Sequence, residues 1–144
     1  MIDVQSAVLA ELIGKLAAVP DFGASVTEDF VLRVIDSDDD TLPDDIIVIQ
    51  PGDTEELERV GTGGVRERVT LNLTLLTRRR QFGPVLRAGR LAVKAALAGV
   101  KGSLATQGVT QFAVLPEQSV PAREGSRWAA RVMPVQISYQ QPLK

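Results

Sequence analysis

The segment from Val65 to Thr77 carries the clearest strand alternation in the chain. Val65, Val69, Leu71, Leu73 and Leu75 stand in one phase, interrupted only by Glu67, while Arg66, Arg68, Thr70, Asn72 and Thr74 stand in the other. Side chains on a strand point to opposite faces in turn, so this segment has one apolar face that must be covered and one polar face that is open. Antiparallel sheets commonly have that character. The open face is then available to solvent or to another subunit.

The rest of the chain supplies the cover and the neighbours. Val4, Val8, Leu12 and Leu16 recur every four residues, flanked by Leu9 and Ile13, which predicts an amphipathic helix over residues 2–19 with Asp3 as N-cap and Pro20 as terminator. Residues 26–35 alternate through Val26, Glu28, Phe30, Leu32 and Val34 and read as a strand. Ile46-Ile-Val-Ile49 is a short continuous apolar run, suited to a strand buried on both faces. A long polar segment at 51–64 reads as a flexible loop. Gly83-Pro84 opens a second helix with a stripe of Phe82, Leu86, Val93, Leu97 and Val100, closed by Gly99 and Gly102. Residues 109–115 form a further strand, and Pro116 to Gly125 a polar connection. Residues 127–140 form the last strand. There Trp128, Ala130 and Val132 share one phase, and Met133, Val135, Ile137 and Tyr139 the other. That slip beside Pro134 predicts a β-bulge. The order α-β-β-β-α-β-β implies an α+β fold, a mainly antiparallel sheet of about five strands with two helices packed on one face. Two pairings of the strands fit. The 144 residues, 44% of them hydrophobic, suffice for one domain and its core.

A net charge of -2 conceals a strong asymmetry. Residues 1–60 hold 15 Asp/Glu and 3 Lys/Arg, a balance of -12, and residues 61–144 hold 3 Asp/Glu and 13 Lys/Arg, a balance of +10. Folding can interleave the halves and neutralise them, or leave two opposed surfaces suited to head-to-tail association. The acids concentrate in Asp36, Asp38, Asp39, Asp40, Asp44 and Asp45, and again in Asp53, Glu55, Glu56 and Glu58. The bases concentrate in Arg66, Arg68 and Arg78-Arg79-Arg80. On the second helix Arg87, Arg90, Lys94 and Lys101 fall within about 60° of one another at 100° per residue.

Catalytic chemistry finds little support. Without cysteine there is no thiolate nucleophile and no cysteine-based zinc site, and without histidine the usual general base is missing. The Asp36, Asp38, Asp40 spacing imitates the start of a calcium loop, but Thr41 and Ile47 stand where the glycine and the bidentate glutamate belong. Gly61-Thr-Gly-Gly64 lacks the Gly-Lys-Ser/Thr ending of a phosphate loop. No enzyme activity, cofactor or metal is expected. No apolar run approaches about 18 residues, and the acidic Asp3 does not suit a secretory signal. Composition therefore points to a soluble, intracellular, non-catalytic domain.

The order of elements is similar to that of the tail terminator, or tail completion, proteins of long-tailed bacteriophages. The segments that carry the resemblance are the N-terminal helix, Leu42-Pro-Asp-Asp-Ile-Ile-Val-Ile49, Val69-Thr-Leu-Asn-Leu-Thr-Leu-Leu76, Leu86-Arg-Ala-Gly-Arg-Leu-Ala-Val-Lys-Ala-Ala-Leu97 and the strand Arg131 to Gln140. It spans nearly the whole chain through length, order and patterning rather than a signature motif, and minor head–tail joining proteins share similar sizes. The resemblance implies a hexameric ring in the virion, at the head-proximal end of the tail and assembled in the host cytoplasm. Such a ring caps the tail tube, ends its growth and joins it to the head connector or neck. It also implies no catalytic residues, no membrane, and contact with DNA only as DNA passes through the ring. On this reading Asp36 to Asp45 or Asp53 to Glu58 of one subunit meets Arg78–Arg80, Arg87, Arg90 and Lys94 of the next, or of the tube. A competing reading is a small nucleic-acid-binding module on the basic helix 84–101. Only six aromatic residues are present, and Phe82 alone lies near that patch, so base stacking is disfavoured.

Overall fold

The computed structural model describes residues 1–37, 40–122 and 126–144. The elements run α1 (Val4–Leu16), β1 (Val26–Glu28), α2 (Val31–Ile35), β2 (Asp45–Val60), β3 (Gly64–Thr77), α3 (Phe82–Ala96), β4 (Val109–Val114), β5 (Gln118–Val120) and β6 (Ala129–Pro142). The sheet is ordered β1-β2-β3-β6-β4, with β5 also paired to β6. β1 runs parallel to β2 and every other pairing is antiparallel. The fold is thus α+β around a mixed sheet.

Two of the three helices cover one face. Asp3 caps α1, its carboxylate accepting from the backbone N–H of Gln5 at 3.1 Å and of Ser6 at 3.4 Å. That satisfies donors that no helical turn can reach. Val8, Leu12 and Leu16 project from α1 onto the sheet and are fully buried. α3 turns Leu86, Gly89 and Val93 inward. At Gly89 a Cβ would stand 2.7 Å from the Phe22 ring and 3.2 Å from Leu75, so only glycine permits this approach of helix to sheet. The large core between helices and sheet holds Ile47, Ile49, Val69, Leu71, Leu73, Leu75, Met133, Val135, Ile137 and Tyr139.

The opposite face carries a smaller core of Ile46, Val48, Leu76, Trp128 and Ala130, packed by Val31, Val34, Ile35, Leu42 and Val120. The apolar run 46–49 is therefore buried on both faces, as its continuity suggests. Three expectations change here. Residues 26–35 are not one strand: pairing with β2 stops at Glu28, and Val31, Val34 and Ile35, at helical spacing, form α2 over the second core. Gln50 fixes the start of α2 by accepting from the Val31 amide at 2.9 Å. Pro116 to Gly125 is not wholly a connection, because Gln118–Val120 pairs with β6. Nor is there a bulge at Pro134. Register with β3 runs unbroken from Gly64↔Pro142 to Thr77↔Ala129. The two apolar phases of the last strand arise because it is buried on both sides.

Pro134 is accommodated by a change of partner. Its carbonyl accepts from the Leu115 amide at 2.9 Å, on the side away from β3. An extended residue aims its N and its C=O at the same edge, so the missing donor falls between β4 and β5, where no ladder bond is lost.

Residues 51–60, expected as loop, continue β2, and β2 and β3 form a long hairpin closed at Gly61 (φ 61°). Beyond Ile49 the outer edge of β2 has no neighbour among the described residues. Register shifts at Pro51/Thr54 and Glu56/Glu58, with acids along the edge, make it a poor template for a further strand. Val100, assigned to the helix stripe from sequence, lies past the end of α3 and is 91% exposed.

Candidate functional site

Charged side chains dominate the candidate residues, and the fold pairs most of them within the chain. In the hairpin, Arg68 meets Glu55 at 2.7 Å, Arg66 meets Glu58 at 3.6 Å, and Arg59 meets Glu56 at 2.8 Å. Register places Glu55 opposite Arg68 and Glu58 opposite Arg66, so the acidic and basic stretches neutralise each other across the ladder.

At the other end of the same two strands, β3 runs into the arginine triplet. Arg79 meets Asp45 at 2.8 Å, and Asp45, only 3% exposed, also accepts from the Thr77 hydroxyl at 2.7 Å. Arg78 lies 3.4 Å from Asp44, donates to the Leu42 carbonyl, and stacks over Trp128 with its guanidinium carbon 4.8 Å from the ring centroid. These two arginines hold the entrance of β2 to the exit of β3, and Arg78 covers the second core through Trp128. Arg80 is exposed and has no ion-pair partner among the described residues.

A third cluster gathers on Glu117, which the sequence gave no reason to single out. Its carboxylate accepts from Arg90 at 2.8 and 3.2 Å and from Arg131 at 3.0 Å, with the Lys94 ammonium at 3.4 Å. The Arg90 hydrogen bonds, opposed by burial and reinforced by Arg131 and Lys94, hold its carboxyl down to about 2. Arg90 is correspondingly raised, first by its bond to Glu117. One acid thus pins α3 and β6 to the segment before β5, and three cations around it leave a net positive surface. Of the basic stripe on α3, Arg90 and Lys94 are engaged within the chain, while Arg87 is exposed without an ion-pair partner among the described residues.

Among the remaining candidates, Asp40 meets Arg127 at 3.0 Å, both well exposed. Asp36 and Asp53 are exposed and have no ion-pair partner among the described residues. Asp38 and Asp39 lie outside those residues. Five of the ten ion pairs among the described residues join an acid of 1–60 to a base of 61–144, so folding interleaves the two halves to a large extent.

Two further polar networks tie down α1. Gln5 donates to the Tyr139 hydroxyl at 2.8 Å and to Thr54 at 3.0 Å, and Tyr139 donates to Glu67 at 3.0 Å. Burial, with the nearby Glu67 carboxylate, pushes the Tyr139 phenol up to about 12. This explains Glu67, the one charged residue in the apolar phase of β3. Glu11 accepts from the Thr106 hydroxyl and from the amides of Ala105 and Thr106. Burial raises its carboxyl, but those bonds and Lys15 outweigh it and the net shift is downward.

A concavity of about 640 Å³ opens on the second face between α2 and the start of β6. Leu76, Trp128, Ala130 and Val132 line it, with Leu32 and Asp36 from the α2 side and Gln50, Asn72 and Thr74 from the sheet. Sequence reading missed this groove because it took 31–35 for strand; the i, i+3, i+4 spacing of Val31, Val34 and Ile35 was the available signal. Among the described residues no three Asp or Glu side chains are placed to share a metal ion, and no helix is long and apolar enough to cross a membrane.

The architecture is shared with a solved structure. A chain from the virion of a native gene transfer agent particle matches with a TM-score of 0.58, covering 99% of both chains at 15% identity. At that identity the likeness is one of fold. No family model matches the sequence, and no curated protein matches it.

Proposed function

We propose that this protein is a structural component of a phage-type virion, forming a ring that caps the tail tube, ends tube polymerisation and provides the joint to the head connector. The observation that carries this reading is the fold held in common, over 99% of each chain, with a component of a gene transfer agent virion. It is an argument from fold analogy, and it coincides with the independent resemblance of the element order to tail terminator proteins. The surface chemistry favours it over a nucleic-acid module. Arg90 and Lys94 are engaged by Glu117 and Arg78 and Arg79 by Asp44 and Asp45, so among the described residues of the arginine triplet and the α3 stripe only Arg80, Arg87 and Lys101 have no ion-pair partner to exchange for a phosphate backbone.

The test is tube growth. Added to a polymerising tail tube protein of the same particle, the chain is expected to stop elongation, shorten the tubes and appear as an extra ring at one end in electron micrographs. Tubes of unchanged length with bare ends would refute the reading.

A further inference from the structure

Two surfaces on opposite sides of the sheet expose large apolar side chains to solvent. The outward side of α3 carries Ala88, Leu91 and Ala95 beside Arg87 and Lys94. Leu91 is 58% exposed. It stands four residues after Arg87 and three before Lys94, so the three share one patch of helix surface. With three cations around the single carboxylate of Glu117, that side of the molecule keeps an excess of positive charge.

Across the sheet lies the groove beside α2. Its rim carries Leu32, 69% exposed, with Phe30, 64% exposed, at the start of the same helix. Among the described residues the cations on this side are already occupied, Arg127 by Asp40 at 3.0 Å, Arg33 by Asp29 at 3.9 Å and Arg78 by Asp44 at 3.4 Å. Asp36 in the groove wall is exposed and has no ion-pair partner among the described residues. Among the described residues that line the groove, the uncompensated charge is the negative one of Asp36.

We propose that the groove beside α2 receives the outward face of α3 from a second copy of this chain. Leu91 enters the groove against Leu32 and Val132, and Arg87 faces the Asp36 carboxylate. An apolar anchor ringed by complementary charge is the usual composition of a protein contact. Because ridge and groove lie on opposite faces of one sheet, the contact is head-to-tail, and its rotation determines whether copies close into a ring or run on as a filament. This inference rests on the ring-forming reading above and names the surfaces that would join its subunits.

The test uses Leu32→Glu and Leu91→Glu in the full chain, examined by native mass spectrometry with and without the tube protein. Both side chains are exposed, so the fold is expected to survive, and circular dichroism melting checks that it does. Each variant alone is expected to stay monomeric, its dissociation constant raised about 100-fold or more. Mixed in equal amounts they are expected to form a heterodimer and nothing larger, since the Leu91→Glu copy keeps its groove and the Leu32→Glu copy keeps its ridge. Variants that assemble like the wild type, or a mixture that stays monomeric, would overturn the contact while leaving the capping reading intact. A mixture that pairs, with a wild type that makes open filaments and never a ring, would support the contact and refute the cap. A wild-type chain monomeric under every condition would overturn both.

Discussion

Toward α1 and α3 the sheet presents a continuous field of Ile, Leu and Val, with Ile49, Leu71, Leu75 and Ile137 wholly buried. Toward α2 the same strands present only Ile46, Val48, Leu76 and Ala130 as buried apolar side chains, joined by Trp128 just before β6, and then the polar Gln50, Asn72 and Thr74 along an open groove. The first face has two helices of 13 and 15 residues for cover, the second a helix of five. The difference follows from the alternation of β3. Its apolar phase demands a complete cover, which hydrophobic burial stabilises at roughly 25 cal/mol per Å². Its polar phase makes no such demand and leaves surface free. Stability is concentrated on one side and accessible surface on the other.

Truncation should separate the faces most clearly. Leu73→Ala, in the large core, is expected to cost about 3–5 kcal/mol in urea unfolding. Leu76→Ala, on the second face, is expected to cost about 2 kcal/mol, because the adjoining groove lets neighbours and solvent relax into the space. Equal costs would break the comparison. Next in size is Gly89→Val, which drives a branched side chain into Phe22 and is expected to lose about 2–3 kcal/mol by overpacking. A neutral result would mean that α3 sits farther from the sheet than described.

Acid titration sharpens the account of α3. The Glu117 carboxyl, usually near 4.5, is held at about 2 in the fold. A lowered folded value adds stability that is fully present above the unfolded value and is lost as pH falls from about 4.5 toward 2. Glu117→Gln is expected to remove about 2 kcal/mol at pH 7 and to flatten the acid limb of the stability curve. An unchanged acid limb would mean the three cations do not act on it. Tyr139→Phe, which leaves Gln5 and Glu67 without their shared partner, is expected to cost about 1 kcal/mol. Smallest of all is Glu55→Ala in the exposed hairpin, where breaking the pair with Arg68 is expected to change stability by under about 0.5 kcal/mol.

Much of the first face was legible in the sequence because helix and strand periods repeat there over many residues. The Val4-Val8-Leu12-Leu16 series and the alternation of β3 each mark a buried surface long enough to outweigh local exceptions. The second face was not, and the reasons are local. Val31, Val34 and Ile35 make barely more than one helical turn, and their neighbours Phe30 and Leu32 complete a false alternation. In the last strand two phases look like a slip when they are two buried faces. The polar character of 51–64 concealed a strand because cross-strand pairing, which matches Glu55 with Arg68 and Glu58 with Arg66, depends on a register that one strand alone does not reveal. The charge asymmetry was visible as a sum, but its resolution into Arg78–Asp44, Arg79–Asp45 and the Glu117 cluster required the fold.

Amide hydrogen exchange tests most directly whether the second face is the one that engages another copy. Wild type in its assembled state and the Leu91→Glu variant as a monomer would be compared peptide by peptide. Assembly is expected to slow exchange in α2, residues 31–35, and in the segment entering β6, while amides of β3 and β6 already protected by the large core stay as they are. Protection confined to other segments, with α2 exchanging equally fast in both states, would contradict the assignment of docking to that face.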